Sequence, residues 1–351
     1  MTLVGERVSG GERLADVAVG EVVELSREQV ELGPDVSYTR RLVRVGDLSD
    51  DHADARDEFN RFLDALSELA AKYKDKWEVP TEENNFQTNP ARSMFYSRFP
   101  GNRTMLEWQK DILKAKALYP LQKPHDAQRV LPDGVDDYAM AVFMFAMDSI
   151  GIRSRAAIMK QVGLESMSKI DDPNIHVLSL GTGAAVPLID VVSSMRDDLG
   201  KSVKMDVCDV SQESLDLADE LMREANIPPE DVDAYTGSFI RKLHEMKKSG
   251  KRVNMVEALG LFEYLKDKDA SNLIEKSYDL LEPGGVIVVS NMLSDRPQLE
   301  FNQYAVGWPY VLPRSEAELV QLALDAGIDP SEITITIAED GVYAVMEIRK
   351  P

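Results

Sequence analysis

The chain has 351 residues, 44% hydrophobic and 29% charged, with a formal net charge of -21. That length accommodates two domains, or one domain with a sizeable extension, around buried cores. The charge repels phosphate backbones and anionic lipid, which makes nucleic acid and membrane surfaces poor default partners, and the single cysteine, Cys208, excludes an intrachain disulfide and a cysteine-based zinc site.

The opening segment, MTLVGERVSGGERLADVAVGE, lacks the basic-then-apolar pattern of a secretory signal. Valine-rich stretches within residues 1–50, at Asp16–Leu25 and Tyr38–Val45, read as short strands. Asp50 and Asp51 then look like N-caps of an amphipathic helix carrying Phe59, Phe62, Leu63, Leu66, Leu69 and Tyr73 at spacings of three and four. The polar, aromatic segment that follows is broken by Pro90, Pro100 and Gly101. Helices are expected over Thr104–Leu118, Asp136–Ile150 and Arg153–Val162, with a proline-marked loop at Pro120, Pro124 and Pro132. The apolar run Ala139–Met147, closed at once by Asp148, is too short to span a bilayer. A cytoplasmic protein with no integral membrane association is the expectation.

From Ile175 the pattern alternates. Strands are expected at Ile175–Leu180, Val203–Val210, Val232–Thr236, Val253–Leu259, Val286–Asn291, Ile333–Ala338 and Val342–Arg349. Helices are expected at Val186–Leu199, Gln212–Ala225, Ala270–Leu281 and Glu316–Ala326. Alternation of this kind implies an α/β parallel sheet with helices on both faces. Asp340-Gly341 marks a closing hairpin that adds one antiparallel strand.

The sharpest motif is Val177-Leu-Ser179-Leu-Gly181-Thr182-Gly183-Ala-Ala185, joining the first of these strands to a helix. Glycine lets the backbone turn tightly and approach a ligand, although a plain structural turn uses the same residues. Asp209 ends the second strand, where a carboxylate can accept hydrogen bonds from ribose hydroxyls or cap the next helix. Asp206 lies inside the strand and cannot share that role. Val186 occupies the sixth position of G-x-G-x-x-G, where a dinucleotide site needs glycine, so NAD is disfavoured.

Taken together, the GTGA loop, the strand ending in Asp209, VNMVEALGLFEYL (253–265), LEPGGVIVVSNM (281–292) and the final hairpin resemble class I S-adenosylmethionine-dependent methyltransferases. GLFEYL (260–265) and Trp308–Leu319 resemble, more narrowly, a bacterial branch that makes hydroxy-fatty-acid methyl esters. The likeness covers residues 175–351, about half the chain. It implies a seven-stranded Rossmann-like sheet over residues 171–351, with a mainly helical N-terminal extension whose residues 51–170 form a lid or substrate region. It also implies S-adenosyl-L-methionine as cofactor, held by Ser179, Gly181, Thr182, Gly183, Asp209, Val210, Ser238, Phe239, Leu259 and Gly260. The chain departs from the family where Ser179 replaces an acidic residue, Ala185 a glycine, and Gly237-Ser238-Phe239 an acidic position near the adenine.

The expected reaction is methyl transfer to a small-molecule or lipid-like acceptor, with a carboxylate among the candidates. Glu257, Glu263 and His125 are the candidate catalytic groups, and no metal is expected. The expected acceptor pocket combines Tyr96 and Arg98, with Phe99 nearby; the Arg153 and Arg155 turn; and Tyr304, Trp308 and Tyr310. Aromatics supply apolar walls and arginines a fork for an anion. Two alternatives stand beside this reading: aminocarboxypropyl transfer from the same cofactor, as in nicotianamine synthase, and a cofactor-binding protein without catalysis. The oligomeric state and the acceptor's identity stay open at the level of sequence.

Overall fold

A computed structural model describes residues 17–34, 36–48, 53–73, 90–97, 103–112, 114–308 and 311–351. Residues 1–16, Asp50, Asp51, Arg98, Phe99, Pro100, Gly101 and Tyr310, all used in the sequence reading, lie outside these residues.

The first elements among the described residues form a long hairpin, β1 (Val22–Gly33) and β2 (Val36–Val45). Helices follow: α1 (Ala53–Tyr73), α2 (Pro90–Ser97), α3 (Arg103–Trp108), α4 (Ala115–Gln122), α5 (Asp137–Phe145) and α6 (Met147–Met167). The alternating half contains β3 (Asn174–Leu180), α7 (Val186–Asp197), β4 (Ser202–Asp209), α8 (Gln212–Glu224), β5 (Val232–Thr236), α9 (Phe239–Lys248), β6 (Val253–Ala258), α10 (Asp267–Leu280), β7 (Leu281–Met292), α11 (Glu316–Asp325), β8 (Ile333–Ala338) and β9 (Tyr343–Arg349).

These strands form one α/β sheet of nine, in the order β1-β2-β8-β9-β7-β6-β3-β4-β5, rather than the expected seven. The two additional strands are the N-terminal hairpin: β2 runs parallel to β8 and continues the sheet past its edge. Only β1 and β9 run against the rest. Apolar side chains of α6, α7 and α8 pack on one face, and those of α9, α10 and α11 on the other.

The helical region has its own core, in which Phe59, Phe62, Phe95 and Phe301 meet in edge-to-face and tilted pairs. Such pairs favour contact between a ring edge and a ring face. α6 ties this core to the sheet. Its early residue Ile152 belongs to the helical core, while Ile158, Met159 and Val162 belong to a sheet face. Two glycines permit the approach: a β-carbon at Gly151 would stand 2.5 Å from Val342 Cβ, and one at Gly163 would stand 2.8 Å from Val191 Cγ2.

The helix boundaries differ from expectation in one consequential place. Ala146 is extended (φ -61°, ψ 139°), so α5 stops at Phe145 and a new helix starts at Met147. Arg153 and Arg155 therefore sit well inside a helix that starts at Met147, not at its beginning, and face different surroundings. α9 was not expected, although Phe239, Leu243 and Met246 carry helical spacing. Among the described residues, no helix is long and apolar enough to cross a membrane.

Candidate functional site

The glycine loop between β3 and α7 is held by β4. Gly181 N donates to Cys208 O at 2.8 Å, and Thr182 Oγ1 accepts from Cys208 N at 3.1 Å. Gly181 (φ +70°) and Gly183 (φ +57°) are left-handed, which explains both glycines sterically. Ala185 is left-handed as well (φ +57°), at the position where the family resemblance expects glycine. α4 lies over the loop: Ala115 Cβ is 3.9 Å from the place of a β-carbon on Gly183.

Asp209 sits at the carboxyl end of β4, 8% exposed. Its Oδ2 accepts from Gly183 N at 2.9 Å and its Oδ1 from Ser211 N at 2.8 Å. Each carboxylate oxygen keeps a further lone pair. Val210, beside it, is 69% exposed and offers an apolar surface at the strand ends. Ser238 caps α9, accepting from Arg241 N at 3.5 Å, and Phe239 is half-buried at the start of that helix.

Asp206, earlier on the same strand, belongs to the fold. It is fully buried and meets His176 Nε2 at 2.6 Å, Lys242 Nζ at 2.7 Å and Lys251 Nζ at 2.5 Å. Burial opposes its charge, yet the bonds from His176, Lys242 and Lys251 win and hold its carboxyl well below the usual carboxylate range.

Glu257 lies under the glycine loop. Its Oε1 accepts from Ser179 Oγ and its Oε2 from Leu259 N at 3.3 Å. Ser179 and Glu257 are register partners on β3 and β6. Burial pushes the Glu257 carboxyl up to about 7, against the opposing pull of the Ser179 hydroxyl, the Leu259 N–H and the Arg155 charge.

Beyond the turn that follows β6 opens a narrow cleft walled by Trp108, Phe301, Trp308, Tyr264 and Tyr343 and reached by Gly260. Polar side chains in its lining include Arg155, Glu263, Asp148, Asn302 and Ser149. Arg155 Nη1 donates to Glu263 Oε1 at 3.3 Å and to Ser290 Oγ at 3.4 Å, and its guanidinium lies 4.2 Å from the Tyr343 ring centre. Asp148 Oδ1 accepts from Arg296 Nη1 at 2.6 Å and from Asn302 Nδ2 at 3.0 Å. Trp308 Nε1 donates to Tyr264 Oη at 2.5 Å. Burial also pushes the Glu263 carboxyl up, against the pull of Arg155.

The structure redistributes the expected acceptor residues. Arg155, Trp308 and Glu263 line the cleft. Arg153 does not. It forms a two-point fork with Asp47 (2.5 and 2.6 Å) and donates to the carbonyls of Leu121, Phe143 and Met144, clasping the chain after β2 to α6. His125 and Arg153 line a second cavity with Asp47 and Lys160, bounded by Val186 and Pro187 at the start of α7. Tyr96 is buried, and its hydroxyl donates to Val306 O at 2.9 Å; with Tyr304 it belongs to the helical core behind the cleft. Neither arginine is a vacant anion fork, because each already faces a carboxylate, Asp47 or Glu263.

Sequence reasoning missed Asp148, Asn302, Tyr264 and Tyr343. Asp148 carried a visible signal: an acid closing an apolar helical run is either a cap or a buried polar group. Asn302 and Phe301 lie on a π-helical turn, Phe301–Val306, a conformation that has no periodic signature in sequence. Among the described residues, no group of three or more histidine, cysteine, aspartate or glutamate side chains is placed to hold a metal.

No family model and no curated protein matches the chain. Among solved structures, a possible exported protein from Bordetella parapertussis is similar over 74% of this chain and 93% of its own, at 16% identity and a TM-score of 0.54, which shows a shared fold. Magnesium protoporphyrin IX methyltransferase from Synechocystis PCC 6803, with bound SAH, covers 66% of this chain and 97% of its own at 14% identity and a TM-score of 0.46. The S-adenosylmethionine-dependent methyltransferase SibL covers 71% and 73% at 17% identity and 0.41. At those scores the two methyltransferases carry no argument about this chain.

Proposed function

We propose that the protein is an S-adenosylmethionine-dependent methyltransferase acting on a small-molecule or lipid-like acceptor. The observation that carries the reading is that the turn after β6 touches both candidate sites. Leu261 Cβ stands 3.5 Å from the place of a β-carbon on Gly181, in the glycine loop, while the neighbouring Gly260 lines the aromatic cleft. A donor at the strand ends and an acceptor in the cleft would meet across this turn, as ligands of open α/β sheets do at the carboxyl ends of strands.

The residues present fit the cofactor. Asp209 has spare lone pairs for ribose hydroxyls, Val210 an exposed apolar face for a base, and the left-handed glycines keep side chains out of the space above the loop. Ser238 and Phe239 flank the same strand ends. Glu257 would take the amino group of the methionine part, the role that an acid at position 179 has in the family. When bound, the cofactor supplies a methyl group on a sulfonium. The protein's part is to align the acceptor and exclude water.

Titration calorimetry with S-adenosylhomocysteine tests the reading, followed by product analysis with S-adenosylmethionine. The expected result is saturable binding and release of S-adenosylhomocysteine, not methylthioadenosine. A folded protein that binds no S-adenosylhomocysteine overturns it.

A further inference from the structure

We infer that the methyl acceptor is a neutral phenol, seated in the aromatic cleft with its hydroxyl on Glu263. The inference deepens the methyltransferase reading and rests on it.

Three buried acceptor oxygens on residues that line the cleft receive no hydrogen bond: Glu263 Oε2, Asp148 Oδ2 and Asn302 Oδ1. Each belongs to a residue more than nine-tenths buried. Buried polar atoms in native proteins are almost always paired, so three orphans on the lining of one cleft point to a ligand that pairs them. Their chemistry is one-sided, because all three accept. Arg155 Nη1 is engaged by Glu263 and Ser290, and Trp308 Nε1 by Tyr264. Arg296 keeps one unpaired nitrogen, Nη2, but its side chain is fully buried outside the cleft lining. A carboxylate ligand would therefore face two like charges. A ligand carrying an O–H matches the cleft.

Glu263 stands at the cofactor end. Arg155 links it to the turn: Nη1 is 3.3 Å from Glu263 Oε1, and Nη2 is 3.5 Å from the place of a β-carbon on Gly260. Aromatic walls at Trp108, Phe301, Trp308 and Tyr264 suit a flat ring. A phenol ionises near pH 10, far more readily than an aliphatic alcohol, so a carboxylate can serve as its base. Burial raises the Glu263 carboxyl and narrows the gap further; Arg155, Arg314, Tyr264 and Tyr343 are the charged or titratable groups around it. In the reaction, the phenol O–H bond breaks and its proton passes to Glu263 Oε2. The phenol oxygen bonds to the methyl carbon, and the carbon–sulfur bond breaks with its electron pair kept on sulfur, leaving a thioether. Glu263 then returns the proton to solvent.

The test uses the full chain saturated with S-adenosylhomocysteine and two probes of like shape, 2-naphthol and 2-naphthoate. 2-Naphthol should bind at least tenfold more tightly. Its affinity should fall at acid pH, as Glu263 is protonated, and again at alkaline pH, as the naphtholate forms and is repelled. With S-adenosylmethionine, Glu263→Gln should bind S-adenosylhomocysteine as the parent does and lose roughly 10²–10⁴-fold in turnover of 2-naphthol. Should that variant not fold, Glu263→Asp and the parent's pH profile of probe binding decide the same question. Preference for 2-naphthoate, absence of 2-naphthol binding, or a flat pH profile overturns the phenol inference while leaving the methyltransferase reading intact. Failure of the parent to bind S-adenosylhomocysteine overturns both.

Discussion

Ser179 and Glu257 face each other on neighbouring parallel strands, and the serine hydroxyl donates to the glutamate carboxyl. A carboxyl from β6 thus stands beside position 179 on β3, where the serine can donate to it. An acid at 179 in place of the serine would set two carboxylates in register, which repel each other.

This pair makes stability and binding proton-linked. Glu257 is raised from its ordinary value of 4.5 to about 7 by burial. Between those values the native state holds more protons than the unfolded state, so stability should fall as pH rises through the window. Glu257→Gln should flatten that slope, as measured by denaturant unfolding at pH 5 and pH 7. A ligand amino group beside Glu257 would favour its ionised form, so S-adenosylhomocysteine binding near pH 6.5 should release protons. Calorimetry in buffers of different ionisation enthalpy reads this directly, and an unchanged buffer dependence in Glu257→Gln would remove the residue from the site.

Asp209→Ala should weaken S-adenosylhomocysteine binding. A hydrogen bond to a charged group contributes about 1.5–3 kcal/mol, or roughly 10- to 150-fold per ribose hydroxyl. Asp209→Asn should lose less, because it keeps one acceptor oxygen. Equal affinity in the parent and a folded Asp209→Ala protein would refute the placement.

Arg153→Met should separate structure from chemistry. The side chain and its partner Asp47 are largely buried, at 12% and 9% side-chain exposure. Breaking a buried pair by removing one member costs about 3–5 kcal/mol. The unfolding midpoint should drop accordingly, while affinity for S-adenosylhomocysteine stays near that of the parent. Loss of affinity without loss of stability would return Arg153 to the binding site.

Gly151→Ala should act on the cleft from behind. Its β-carbon would meet Val342 Cβ at 2.5 Å, and the adjacent Tyr343 forms the ring under Arg155. Overpacking of this kind costs about 1–3 kcal/mol. Acceptor-probe affinity should fall more than S-adenosylhomocysteine affinity. Equal losses in both would show that β9 does not separate the two sites.

The alternating half was legible because its signals are local. Short β-rich runs, glycine turns and the alternation of strand with helix mark β3 to β9 within a few residues of most of their ends. The glycine loop and Asp209 were legible for the same reason. Burial and partnership were not. Arg153 and Arg155 are two residues apart on one helix and serve unrelated surroundings, a difference set by Asp47 and Glu263 from distant parts of the chain. Nor does any local pattern say that β2 joins β8 and brings the sheet to nine strands.

That last pairing orders the assembly of the chain in time. Arg44, the penultimate residue of β2, bonds Glu339 across 295 residues of sequence. A two-stranded ribbon is marginal by itself in water, and contacts this distant form slowly because a long loop must close first. During synthesis the hairpin therefore waits, exposed, until the strand it docks on has been made. Its outward-facing charges, Glu24, Arg27, Glu28 and Glu31 on β1, discourage pairing with the wrong neighbour in that interval.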